Sequence, residues 1–198
     1  MKKIIILLIT LHFSAAASSQ NFNAAITTAK SAYAANKLEE AHFALLQAMQ
    51  EIDLIIGKEV LKIVPLKMND LAVNTKDDNV SVNTGYIGTT IRRTFGTTRK
   101  AELTIMSNSP MVASINMVLN NPIFGGMSSD GNTKLIRLKG YKGQLLKETN
   151  STTGLINYTI NIPLGNSLFT FKVDNTTDTE ITAMAETIPL EEIAKLIQ

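Results

Sequence analysis

Residues 22–64 contain no proline and a single glycine, Gly57, and Pro65 closes the run. Ala, Leu, Glu, Lys and Gln dominate this stretch, a composition that favours helix. Beyond Pro65 the texture turns to Thr, Asn, Val, Ile and Gly with period-two alternation, the pattern of strands separated by turns. A chain with this switch folds as a helical N-terminal part followed by a sheet-forming part, an α+β arrangement.

Within the helical part the break falls at Ala35-Asn36-Lys37. Asn tolerates the left-handed conformation that ends a helix, and Leu38-Glu39-Glu40-Ala41 restarts one with acids in its first turn. The expected product is a helical hairpin with arms at residues 23–35 and 38–64. Its apolar face holds Ile26, Tyr33, Leu38, Leu45, Met49, Ile52 and Ile56. That face needs cover, and the following domain is the expected cover, with a partner as the alternative.

The residues Ala29, Ala32-Tyr33, Asn36-Lys37-Leu38-Glu39-Glu40-Ala41 and Ala48 resemble one tetratricopeptide unit, with small residues where paired helices approach and a short turn before Glu-Glu-Ala. The resemblance spans about 30 residues, and the sequence holds no second copy of the pattern, whereas such repeats are normally stacked.

In the sheet-forming part, residues 86–95 and 101–106 read as a hairpin around Gly96-Thr97-Thr98-Arg99, with Ala101, Leu103 and Ile105 on one face and Glu102 and Thr104 on the other. Ser109-Pro110 opens a short helix over 111–119, which Asn120-Asn121-Pro122 ends. A Gly- and Ser-rich loop at 123–132 follows. Strands are expected at 133–138, 141–148, 155–162 and 167–173, joined by short turns that imply antiparallel neighbours. Helices at 177–187 and 190–197 would cover the sheet with Ile181, Met184, Ala185, Ile188, Ile193, Leu196 and Ile197. The reading is thus an antiparallel sheet of about six strands with an inserted short helix and C-terminal helices.

Arg92-Arg93-Thr94-Phe95, Asn108-Ser109-Pro110-Met111, Leu119-Asn120-Asn121-Pro122 and Ile136-Arg137-Leu138-Lys139-Gly140-Tyr141, in this order, resemble exported bacterial proteins with the PsbP-like α/β fold. The likeness runs over residues 66–198. It implies a fold, and it implies an accessory or binding role only by analogy.

Location is read from the first twenty residues. Lys2 and Lys3, the apolar run 4–13 and Ala15-Ala16-Ala17 form the three parts of a secretory signal peptide. The Ser-Ser-Gln-Asn-Phe exit at 18–22 resembles exported proteins of the Bacteroidetes. The organisation expected is a signal peptide at 1–20, a hairpin at 21–64 and the α+β domain at 65–198. The apolar run is too short for a lasting membrane anchor, and no cysteine is present to carry a lipid, so a periplasmic or secreted protein is expected. Without cysteine the core must be stabilised by ordinary apolar packing. Removing Lys2 and Lys3 from the nineteen basic residues leaves seventeen against seventeen acidic ones, which argues against electrostatic binding of nucleic acid.

The inventory leaves little room for catalysis. Past the signal peptide, His42 is the remaining histidine and there is no thiol, so nucleophile–histidine triads and multi-histidine metal sites have no residues to build on. Asp77-Asp78-Asn79 lacks the spacing of a calcium loop and reads as a polar turn. Glu39-Glu40 and Glu191-Glu192 sit in first helical turns, where carboxylates need no catalytic role. Arg92 and Arg93, adjacent in a strand, point to opposite faces and cannot clamp one anion together. A carboxylate-based hydrolase would need two converging acids, and spacing identifies no such pair.

The remaining enrichment is methionine: Met106, Met111, Met117 and Met127 cluster around the inserted helix and its loop. Thioethers serve as adaptable packing or as plastic binding surfaces. The functional expectation is therefore a non-enzymatic exported accessory protein, with no cofactor or metal. It would bind a protein partner or a small apolar ligand at Met111, Met117, Phe124 and Met127. The alternative is an interaction protein that acts through the hairpin.

Overall fold

The computed structural model describes residues 13–83, 88–120 and 131–197, and the fold is α+β. Two helices, α1 (Phe13–Ala34) and α2 (Leu38–Ile63), form the hairpin. Next come a two-stranded ribbon, β1 (Lys67–Met68) with β2 (Leu71–Ala72), and a short 3-10 turn at Thr75–Asp77. The main sheet contains β3 (Asn79–Asn83), β4 (Gly88–Phe95), β5 (Ala101–Met106), β6 (Thr133–Leu138), β7 (Tyr141–Thr149), β8 (Ile156–Leu164) and β9 (Ser167–Val173). Helix α3 (Met111–Asn120) is inserted after β5, and α4 (Asp178–Ala185) and α5 (Leu190–Ile197) end the chain. Residues 13–55 and 56–197 belong to two separate compact units.

The seven strands lie in the order β3-β4-β5-β9-β8-β7-β6, and every pair is antiparallel. The chain builds one edge, crosses by way of α3 to the opposite edge, and returns strand by strand until β9 closes against β5. Leu103 faces Phe171 and Ile105 faces Phe169 at this junction, and all four side chains are buried. Six strands were expected. The seventh, β3, escapes the sequence reading because Asn-Val-Ser-Val-Asn offers only two apolar residues, as suits an edge strand with its outer face in water.

On one face of the sheet, Ile91, Phe95, Leu103, Ile105, Leu138, Leu145, Ile160, Ile162, Phe169 and Phe171 pack with Ile181 and Met184 of α4, Leu190 and Ile193 of α5, and Ile188 between the two helices. The end of α2 joins the same core through Val60 and Val64. Gly57 permits that approach: a Cβ there would collide with the side chain of Val80 on β3. On the opposite face α3 sets Val112 and Ile115 against Leu168, with Leu119 alongside. Leu168 alternates with Phe169, so β9 is apolar on both faces where helices cover it. Asn161 is buried for the same reason, where a half-buried strand would have left it in water; it accepts a hydrogen bond from Thr170 Oγ1 at 2.9 Å.

Several local expectations are met. Ala101, Leu103 and Ile105 share the buried face of β5. Asn36 is left-handed, with φ of 58°. Helix α1 begins at Phe13 and not at Asn23, because Ser-Ala-Ala-Ala-Ser-Ser-Gln contains no residue that stops a helix. The loop expected at 123–132 lies outside the described residues except for its last two positions.

Candidate functional site

The hairpin is built on alanine. Ala25, Ala29 and Ala32 of α1 and Ala41, Ala44 and Ala48 of α2 are the buried apolar residues between its arms. Spacings of three and four residues put each trio on one helical face, and side chains this small let the two backbones approach closely. The turn is a Schellman motif: Lys37 N donates to Ala32 O at 2.9 Å and Asn36 N to Tyr33 O at 3.0 Å, with Asn36 at the left-handed position.

The larger apolar side chains are left out of that seam. Tyr33 is 71% exposed, Leu38 59% and Met49 51%, and Leu45, Ile52, Phe43 and Ile55 are exposed as well. Ile26 and Ile56 are half-buried. Tyr33, Leu38, Leu45, Met49 and Ile52 of the expected apolar face are therefore not covered within the hairpin itself. The physical reason is that alanine alone fills the helix–helix contact, so these side chains have no place inside it.

At 100° per residue, Leu38, Leu45, Met49 and Ile52 fall within about 40° of one direction on α2. Phe22, Ile26 and Tyr33 fall together on α1. Because the arms run antiparallel, both groups flank the alanine seam on the same side. The other side is mainly polar: Asn21, Thr28, Gln47, Gln50 and Glu51 line a depression of about 350 Å³ there, Asn21 Nδ2 donates to Glu51 Oε1 at 3.4 Å, and the exposed Phe43 stands apart from the strip in the direction of Gln47 and Gln50. The hairpin thus has one wet side and one apolar side with a low alanine floor between two ridges of large residues. That shape suits a helix laid along it.

The inserted helix presents less. Met111 and Met117 are both exposed, but six residues apart they project about 120° from one another and do not form one patch. Phe124 and Met127 lie outside the described residues. His42 is exposed on α2, in a shallow depression with Glu39, Glu40, Phe43 and Leu46 of the same helix. No group of three His, Asp or Glu side chains among the described residues is arranged to hold a metal ion, and no described helix is long and apolar enough to cross a membrane.

Charged groups in the sheet unit serve the fold. Arg93 on β4 grips both carboxylate oxygens of Asp78 and donates to Val64 O at 2.9 Å, while Arg92 on the opposite face pairs with Glu102. The expected opposition of the two arginines is met, and the polar turn at Asp77-Asp78 proves to be the anchor for Arg93. Arg99 in the β4–β5 turn donates to Glu180 on α4, which also accepts from Thr176 Oγ1 at 2.8 Å. The hydrogen bond from Arg99, against the opposing effect of burial, holds the Glu180 carboxyl below the usual carboxylate range. A depression of about 520 Å³ between residues 73–77 and 96–100 carries Lys76 and Lys100 on its rim, but Asn74 and Asp77 are occupied there with Gly96 O and Thr94. No protein-family model matches the chain, and no curated protein is significantly similar to it in sequence.

Proposed function

We propose that this chain is an exported, non-enzymatic accessory protein that engages a protein partner through the apolar side of its helical hairpin. The observation that carries this reading is the exposure of Tyr33, Leu38, Leu45, Met49 and Ile52 together on one side of a hairpin whose other side, Phe43 apart, is polar. Soluble proteins seldom leave a contiguous apolar patch of this kind without a binding role. The leader at residues 1–20 directs the chain out of the cytoplasm, and the sheet unit serves as scaffold.

The test compares material purified gently from the envelope fraction of cells producing either the natural chain or the Leu45→Glu, Met49→Glu double variant. A protein species held by the first and lost from the second, with circular dichroism unchanged, supports the reading. Identical sets of bound species would remove it.

A second reading rests on the exposed Met111 and Met117 of α3: a small apolar ligand held beside that helix. Native mass spectrometry of the processed chain decides it. A retained small molecule that disappears on Met111→Ser and Met117→Ser substitution favours it, and bare protein counts against it.

A further inference from the structure

We infer that the occupant of the hairpin's apolar side is a second copy of the same hairpin, an inference that rests on the docking role proposed above. Two observations select this partner. The first is distribution. The exposed large apolar residues of the sheet unit are scattered, Ile63, Leu66 and Leu155 on different segments and Met111 and Met117 about 120° apart on α3, whereas on the hairpin Tyr33, Leu38, Leu45, Met49 and Ile52 form one strip, with Phe43 and Ile55 off it. Among the described residues, the surface that matches the strip in length and character is therefore the strip itself. An isologous contact about a two-fold axis covers both copies at once and closes the assembly.

The second is register. Leu38, Leu45 and Ile52 recur every seven residues on α2, and His42 and Met49 occupy the alternating set, which is the seam pattern of paired helices. With the two-fold axis at the level of Gln47 and the helices antiparallel, Leu45 meets Met49 of the second copy and Ile52 meets its His42. Leu38 falls opposite Ile56, which already packs against the core of the sheet unit, so the contact centres on Leu45, Met49 and Ile52, and the product is a four-helix bundle.

The area fits a weak, concentration-dependent dimer. Five large side chains, each roughly half exposed, present on the order of 500 Å² of apolar surface per copy, short of the ~800 Å² per partner of a standard interface. Half-buried Phe22 and Ile26 and the rim of polar residues bring the face toward that size.

The experiment uses the full chain with its leader and a photocrosslinking amino acid in place of Leu45, together with sedimentation velocity of the purified natural protein. Concentration is varied over roughly a hundredfold range, wide enough to cross a micromolar dissociation constant. The expected result is a crosslinked product of twice the chain mass and a concentration-dependent dimer. Leu45→Glu and, separately, Met49→Lys should each weaken that dimer roughly tenfold or more with unchanged circular dichroism. A natural chain that stays monomeric throughout overturns the inference, as does a dimer that both variants leave intact. Crosslinks from position 45 to another protein alone overturn self-pairing and leave the docking role standing. No crosslinked product at all removes both.

Discussion

Arg93 and Asp78 form a two-pronged ion pair inside the sheet unit, with Nε 2.9 Å from Oδ1 and Nη2 2.6 Å from Oδ2, and their side chains are 5% and 18% exposed. The third guanidinium nitrogen donates to the carbonyl of Val64, just past the end of α2. One arginine thus ties together β4, the turn ahead of β3 and the last residues of the helix. Removing one partner of a buried pair leaves the other charged and unsatisfied, at a cost of about 3–5 kcal/mol. Asp78→Ala is therefore expected to lower the stability of the sheet unit by about that amount in urea titration. A loss under about 0.5 kcal/mol, the range of ordinary surface changes, would show that water replaces the carboxylate.

The Arg99–Glu180 pair gives a pH dependence whose sign is fixed. The Glu180 carboxyl is held below its ordinary value, chiefly by the hydrogen bond from Arg99. The contribution is thus fully present above the unfolded value of about 4.3 and is lost as pH falls through the lower folded value. Thermal unfolding between neutral pH and the acid side of this window should show the natural protein losing more stability than Glu180→Gln. Parallel curves for the two proteins would remove Glu180 as the source.

Gly143 on β7 leaves no room for a side chain: a Cβ there would lie 2.7 Å from Asn161 O and 2.7 Å from Ile162 Cγ1. The carbonyl belongs to the neighbouring strand and cannot move aside without breaking the ladder. Gly143→Ala is expected to cost about 1–3 kcal/mol, read as a lower urea midpoint. An unchanged midpoint would mean that β7 and β8 separate there at little cost.

Lys139 occupies the left-handed region, with φ of 46°, in the two-residue turn that it forms with Gly140 between β6 and β7. A left-handed conformation costs a residue with an ordinary side chain about 1–2 kcal/mol, and Asn is among those that visit it most readily. Lys139→Asn should therefore raise the melting temperature, with a gain of about 0.5–1 kcal/mol. A fall would indicate that the lysine side chain contributes more than the turn strain costs.

Within the hairpin, adjacent residues should behave oppositely. Ala44 is 1% exposed in the seam, so Ala44→Leu forces the arms apart and is expected to cost about 1–3 kcal/mol. Leu45→Ser, measured on dilute protein, should stay within about 0.5 kcal/mol because the side chain already meets water. Chemical denaturation followed by helical circular dichroism separates the two, and equal effects would contradict the assignment of seam and surface.

Much of the architecture was legible in the sequence because it rests on local preference and periodicity. The helical run closed by Pro65, the left-handed Asn36, the alternation of β5, the Ser-Pro start of α3 and the amphipathic C-terminal helices all follow from the chemistry of neighbouring residues. Tertiary structure decided what depends on residues distant in sequence. Strand order belongs to this class, since β5 and β9 are joined only after α3 and three other strands have intervened. The partners of Asp78 and the requirement for Gly57 and Gly143 belong to it too, because each is set by a neighbour from another element. The candidate surface divides the same way. Helical spacing put Leu38, Leu45, Met49 and Ile52 on one face of α2, but periodicity cannot say whether an apolar face is inward or outward. The alanine seam between the arms answered that, because it completes the helix–helix contact with small residues and leaves the large ones in water.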